Sequence, residues 1–266
     1  MFFPELSNYY PEVFVASAFT FENFLWARGL FDSRAINMKI GGEVKTCLVP
    51  FVDMINHCLR AGVPAGAFDD ETQTFKLTAN SPYTQGSQVF LHYGPLKNWQ
   101  LLLYYGFLIP NNPYDSMSVY FELPEDELAE EKEALLEKHS LSREHSVRAS
   151  SISPRALSAL RICVADSAEL ELLRDGKVDP IKGQISSRNE SETLNAFLAT
   201  LRALLAERAL LGSGEDADEE EQEEEEEEEE ATANTKAARA FKGEEVKLLE
   251  AAVELVEVKL RELGDV

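Results

Sequence analysis

At Pro124 the rhythm of the sequence changes, and this constrains the fold more than any other feature. Upstream, apolar residues come in short runs separated by turn formers. "TCLVPF", "TFKLTA" (74–79), "QVFLHYG" (88–94) and "SMSVYFELP" (116–124) read as strands, with Gly41-Gly42 and "SPYTQGS" as turns between them. Few helices interrupt this region. Pro11 is placed to open one, with Phe14, Ala18, Phe21 and Leu25 on one face, ending near Gly29 before a "DSR" turn. Asn98 is placed to cap a second, through "WQLLLYYGF".

Downstream of Pro124, apolar residues recur every three or four positions, the period of a helix face. "EDELAEEKEALLEKH" is one helix. Ser153-Pro154 supplies an N-cap and a first-turn proline for the next. In "SRNESETLNAFLATLRALLAERALL", Leu194, Leu198, Leu201, Leu205 and Ala209 form one stripe. Val246, Leu249, Val253, Val256, Leu260 and Leu263 form another near the C-terminus, too short for a free coiled coil and expected to pack back into a bundle. The fold class is therefore α+β: an irregular mixed-β region, then an all-α region.

Net charge is −23, but residues 215–230 alone hold 14 acidic side chains and no basic one, so the remainder carries an ordinary −9. The tract repels itself and buries nothing, so a disordered loop over about 213–235 is expected, either a plain solvated linker or a grip on a basic partner. No basic patch is visible, which argues against nucleic acid as a partner and favours a basic protein. Three cysteines, Cys47, Cys58 and Cys163, lack the spacing of a disulfide framework or a zinc set, so no metal is expected. No apolar run is long enough for a membrane span, and the N-terminus has neither the basic nor the apolar segment of a signal peptide. A soluble intracellular protein is expected.

Three stretches place polar groups among apolar ones: "SRAINM" (33–38), "LVPFVDMINHC" (48–58) and "VFLHYGPLKNWQLLLYYGF" (89–107). A polar side chain in such a run needs a hydrogen-bond partner, supplied by the fold or by a ligand. Both readings are open for Asn56 and His57. Arg34 and Asp53 read equally as an ion pair or as pocket residues.

The order and spacing of these stretches resemble SET-domain protein methyltransferases of the Rubisco large-subunit methyltransferase group. That group carries an "SRAF"-like segment, then "P-x-x-D-x-x-N-H", then a tyrosine-to-"Y-G-F" segment. Here they read Ser33-Arg34-Ala35-Ile36, Pro50 to His57 and Tyr93 to Phe107. The helical half is similar to that group's substrate-binding domain. The resemblance implies residues 1–30 as the end of a helical insert within SET, 31–123 as the C-terminal half of SET and 124–266 as the substrate-binding domain. It implies S-adenosylmethionine as cofactor, contacted by Asn56, the His57 main chain and Tyr93. It implies Tyr105 as the active-site tyrosine, with Arg34, Asp53, Tyr105 and Phe107 toward the substrate. The implied activity is methylation of a protein lysine, the partner being gripped by the helical domain. A relative in the group modifies histidine, and Tyr105 favours lysine because that relative differs at this tyrosine. Ile36 replaces the usual Phe, and Met117 stands about where the group has another substrate-contacting tyrosine, which argues against Rubisco as substrate. The glycine-containing segment that opens SET domains has no counterpart here, so a truncated fragment or a non-catalytic protein-binding module is the alternative. The compartment implied is cytoplasm or nucleus, or chloroplast by likeness to plant members.

Overall fold

The computed structural model describes residues 2–61, 66–79, 81–210 and 233–264. The chain divides into two compact units: Met1–Leu96 with Gln100–Gly106, and Lys97–Trp99 with Phe107–Val266.

The first unit is built from short elements. Helix α1 spans Phe2–Tyr9 and α2 spans Phe21–Arg34. The helix expected from Pro11 to about Gly29 is thus displaced. Residues 11–18 form turns, and the start is set by Thr20, whose hydroxyl accepts the Asn23 N–H at 3.2 Å. A side-chain cap three residues before a free N–H outweighs a first-turn proline that has no cap of its own. The helix then runs through the "DSR" expected to be a turn.

Strands β1 (Ile36–Ile40) and β2 (Glu43–Cys47) form an antiparallel hairpin in which Ile40 pairs with Glu43. The two loop residues, Gly41 and Gly42, take φ of 60° and 85°. Two consecutive positive φ values are what a two-residue hairpin with native strand twist requires, and glycine adopts them without Cβ strain. The "TCLVPF" strand ends early, at Cys47, and Leu48 and Phe51 are exposed rather than buried. Strand β3 (Asn56–His57) pairs in parallel with β6 (Phe90–Leu91). Strands β4 (Gly66–Asp69) and β5 (Thr74–Leu77) form a second hairpin. A Cβ on Gly66 would lie 2.7 Å from the Phe75 ring, so glycine is what lets ring and backbone meet there. Helix α3 spans Asn98–Tyr105 and stops at Gly106, whose φ of 75° suits a helix C-terminus.

In the second unit Asn98 is fully buried, but not as the expected cap. Its side-chain oxygen accepts the Ile109 N–H and its amide donates to the Ile109 C=O, both at 2.9 Å. Its own N–H is taken by the Asp115 carboxylate at 2.6 Å. Strand β7 (Met117–Tyr120) pairs with β8 (Glu144–Val147), a strand inside the stretch that reads as helical. Around this hairpin pack α4 (Ala129–Lys138), α5 (Pro154–Cys163), α6 (Ser167–Arg174), α7 (Ser187–Leu210) and α8 (Ala233–Gly264). Ser153 caps α5 as expected, accepting the Ala156 N–H, and Pro154 follows.

The stripes of α7 and α8 share one core. Leu194, Leu198 and Leu201 lie against Leu249 and Val256, with Leu205, Val253, Leu260 and Leu263 at its margin; Ala209 is exposed. Arg208 and Glu245 pair at 3.1 Å, and Arg202 and Glu257 at 2.8 Å, which fastens the two helices side by side. Phe121 meets Phe197 edge to face in the same core, which also holds Met117. A second cluster joins α4, α5 and α6 through Leu136, Ile162, Leu170 and Leu173. The Arg161 guanidinium holds Glu190 through two hydrogen bonds of 2.7 and 2.9 Å and donates a third to the Pro180 C=O, with both side chains buried. The acidic tract, and with it most of the loop expected over 213–235, lies outside the described residues.

Candidate active site

The first unit encloses a cleft of about 640 Å³, within the range of small-molecule sites. All three polar stretches line it. Ser33, Arg34, Ala35 and Ile36 come from the end of α2 and the start of β1; Val52, Asp53 and Ile55 from the turn before β3; His92, Tyr93 and Gly94 from the exit of β6, with Tyr104 and Tyr105 from α3.

The local chain explains these placements. Asp53 N–H donates to the Val49 C=O at 3.1 Å, closing a tight turn that holds Phe51 at φ 70°. Arg34 donates to the Asp53 C=O at 2.7 Å and lies 3.4 Å from the Met54 sulfur. Arg34 therefore fixes the turn through its main chain, and the ion pair with the Asp53 carboxylate that sequence left open does not form. The Tyr93 hydroxyl donates to the Ile55 C=O at 2.7 Å, and its ring lies 4.8 Å from that of Tyr105. Burial pushes both phenols above their usual range; the Tyr105 neighbour adds to the effect at Tyr93 and Arg34 opposes it. Both hydroxyls thus stay protonated at neutral pH, as hydrogen-bonding groups rather than bases.

Two imidazoles adjoin the tyrosines. The His57 ring lies 5.1 Å from those of Tyr93 and His92. The Tyr93 N–H donates to His57 Nδ1 and the Gly94 N–H to His92 Nδ1, each at 3.0 Å. Burial holds both imidazoles below their ordinary range, His92 reinforcing this at His57 against a smaller opposing contribution from the Leu91 main chain.

Of the residues singled out in the sequence, Arg34, Asp53, Tyr93 and Tyr105 come together in this cleft. Asn56 and His57 do not line it, and Phe107 is counted with the second unit. Asn56 was expected to be a buried amide; it is exposed, because β3 is two residues long and paired only with β6 among the described residues. Sequence reasoning missed Gly66, Phe75, Leu77 and His92 as lining residues, as well as Arg28 and Asp32, which pair across one helical turn at 2.7 Å. "HY" within the third stretch was the available signal for His92; nothing in "GAFD" or "TFKL" pointed to the cleft. Among the described residues no group of three or more His, Cys, Asp or Glu is placed to hold a metal ion, and no helix is long and apolar enough to cross a membrane.

This architecture is that of SET-domain proteins. The crystal structure of the SET domain of LSMT bound to methyllysine and AdoHcy superposes with a TM-score of 0.66 at 24% identity, covering 92% of this chain and 57% of that one. Residues 123–256, half of the chain, match the Rubisco LSMT substrate-binding family, and the chain belongs to that family. SET domain-containing protein 4 of Mus musculus is 27% identical over 269 aligned positions, 96% of this chain and 58% of that protein. Actin-histidine N-methyltransferase of Drosophila melanogaster is 26% identical over 189 residues, 67% of this chain and 35% of that protein. The chain spans about half the length of the curated relatives it matches first.

Proposed function

We propose that this chain carries the acceptor side of an S-adenosylmethionine-dependent protein methyltransferase, with a lysine side chain as acceptor. The observation that carries the reading is the convergence of the three sequence stretches on one cleft walled by Tyr93 and Tyr105. The residues present fit the cofactor: Asn56 exposes an amide with donors and acceptors beside the His57 main chain, and Tyr93 adds an aromatic face. When bound, the cofactor supplies an electrophilic methyl group on a cationic sulfur, a chemistry that asks the protein for no metal and no strong base.

What the protein must supply is a neutral, aimed amine. A lysine with a pKa near 10.4 is only about 0.1% neutral at pH 7.4, a cost of about 4 kcal/mol. An aromatic cleft lowers that cost by desolvating the ammonium more than the amine. The Tyr105 hydroxyl, kept protonated by burial, orients the amine's lone pair, which is a positioning effect. Tyr93 is held by Ile55 and gives Tyr105 a fixed wall. Arg34 and Asp53 shape the substrate side of the turn, and the helical domain, residues 124–266, grips the partner protein in an intracellular compartment.

Tyr105→Phe is expected to lower methyl transfer at least about tenfold while the chain stays folded. A wild-type rate in that variant overturns the role of Tyr105. Calorimetric titration of the chain with S-adenosylmethionine, with Asn56→Ala as control, tests the cofactor. No binding by the folded chain favours a non-catalytic binding module. The likeness to an actin-histidine methyltransferase supports a second reading, histidine as acceptor. Mass-spectrometric location of the methyl group separates the two.

A further inference from the structure

The imidazoles of His57 and His92 have no part in the mechanism above, yet they support the wall of the cleft: His92 lines it, and the His57 ring lies against those of His92 and Tyr93. Strand β6 ends at Leu91, and the next main-chain donors of the wall, Tyr93 and Gly94, leave the ladder. A buried N–H without an acceptor is costly. Here the acceptors are not carbonyls but side chains. Tyr93 N–H is taken by His57 Nδ1 and Gly94 N–H by His92 Nδ1. A ring nitrogen that accepts an N–H carries no proton, so both imidazoles are neutral and protonated on Nε2 only. Their rings meet in sequence: His92 edge to face with His57, His57 tilted against Tyr93, and Tyr93 tilted against Tyr105. Gly94 sits at φ 119°, a conformation that glycine adopts without Cβ strain.

We propose that His92, together with His57, is a positioning residue: the two imidazoles clamp the Tyr93–Gly94 main chain and thereby hold the Tyr93 and Tyr105 rings in the geometry that acceptor binding uses. The clamp rests on the reading of the cleft given above for its effect on methyl transfer, but not for its existence. Protonation of either Nδ1 removes an acceptor and turns it into a donor facing an N–H, so the clamp opens as pH falls. The charged and titratable groups that line the cleft with His92 and Tyr93 are Arg28, Asp32 and Arg34 from α2, Asp53 from the turn, and Tyr104 and Tyr105 from α3. Arg34, the cation that acts on Tyr93, donates to the Asp53 carbonyl. At His57 the Leu91 main chain favours the imidazolium, but burial and His92 outweigh it.

The test uses the full chain and two substitutions. His92→Asn keeps an acceptor, since the asparagine oxygen falls near the place of Nδ1; His92→Phe keeps the ring and removes the acceptor. Amide hydrogen exchange at Gly94 is expected to be at least about tenfold faster in His92→Phe and close to wild type in His92→Asn. Nitrogen-15 spectra of labelled histidines are expected to show unprotonated Nδ1 in both His57 and His92, persisting below pH 6.5. In methyl transfer, kcat of His92→Phe is expected to fall about tenfold with KM for the cofactor unchanged. His92→Asn is expected to retain kcat near neutral pH and to lose the steep part of the acid limb. A protonated His92 Nδ1, or a folded His92→Phe with wild-type Gly94 exchange, overturns the clamp. A wild-type chain that neither binds S-adenosylmethionine nor transfers methyl overturns the functional reading instead, and the exchange and nitrogen-15 results still decide the clamp.

Discussion

The two units differ in how they are held together. In the first, the buried apolar residues among those described are Met38, Ala61, Leu91 and Leu101, and α2 buries none of its side chains while exposing Phe21, Phe24, Leu25 and Trp26. In the second, two continuous clusters run through every helix and the β7–β8 hairpin. Burial of apolar area is the main favourable term in folding. The second unit therefore carries most of the chain's own stability, while the first holds its cleft with individual hydrogen bonds: Arg34 to Asp53, Tyr93 to Ile55, and the two imidazoles. A well-packed helical unit and a thinly supported cleft sit in one chain, and the cleft belongs to the weaker part.

The sharpest way to break this contrast is at Arg161–Glu190. Glu190→Ala leaves a buried guanidinium without its carboxylate and is expected to cost about 3–5 kcal/mol in urea unfolding. A loss below about 1 kcal/mol would show that water reaches Arg161 and that the second unit is looser than it looks. Next, Leu201→Ala in the fully buried stripe of α7 is expected to cost about 2–5 kcal/mol. The same truncation at half-exposed Leu25 of α2 is expected to stay within about 0.5 kcal/mol. Equal costs at the two sites would erase the difference between the units.

The smallest effect separates the units by pH. His57 and His92 are depressed by burial, so their contribution is complete above the ordinary histidine value near 6.5 and is lost as pH falls below it. In the second unit His145 behaves likewise, again through burial. Glu169 acts in another range. Burial raises it, but hydrogen bonds from Arg188, Ser186, the Asp166 main chain and Asn189 together lower it, so its contribution is lost only as pH drops below the usual carboxylate value. Hydrogen exchange from pH 7.5 to 5.5 is expected to show protection falling first around β3 and β6, with α6 and α7 giving way only at lower pH. Loss in α6 and α7 over the same range as in β3 and β6 would remove the assignment of the first transition to the imidazole pair.

Much of this was legible in the sequence, for reasons that differ by region. Gly41-Gly42 announced a two-residue hairpin because few other residues tolerate its φ values. Ser153-Pro154 announced a helix start because cap and proline agree there. The stripes of α7 and α8 were readable because each has a partner to bury it. Around Pro11 the signals disagreed, and Thr20 decided between them. Strand β8, "EHSV", has no alternation of its own and is a strand because β7 lies beside it. Arg34, Asp53, Tyr93 and Tyr105 were found through their motif context, whereas His92 is a functional candidate only through the main-chain N–H it accepts. That is a relation between segments, and local pattern does not carry it.

The pairing of Arg208 with Glu245 bears on how this protein can vary. It ties the last turn of α7 to α8 about three turns inside that helix. The two helices are thus set against each other by their own side chains. Lengthening a flexible closure twofold costs only about 0.6 kcal/mol. Residues can be gained or lost there at little expense to the core, which makes this a natural place for the sequence to accumulate repeats.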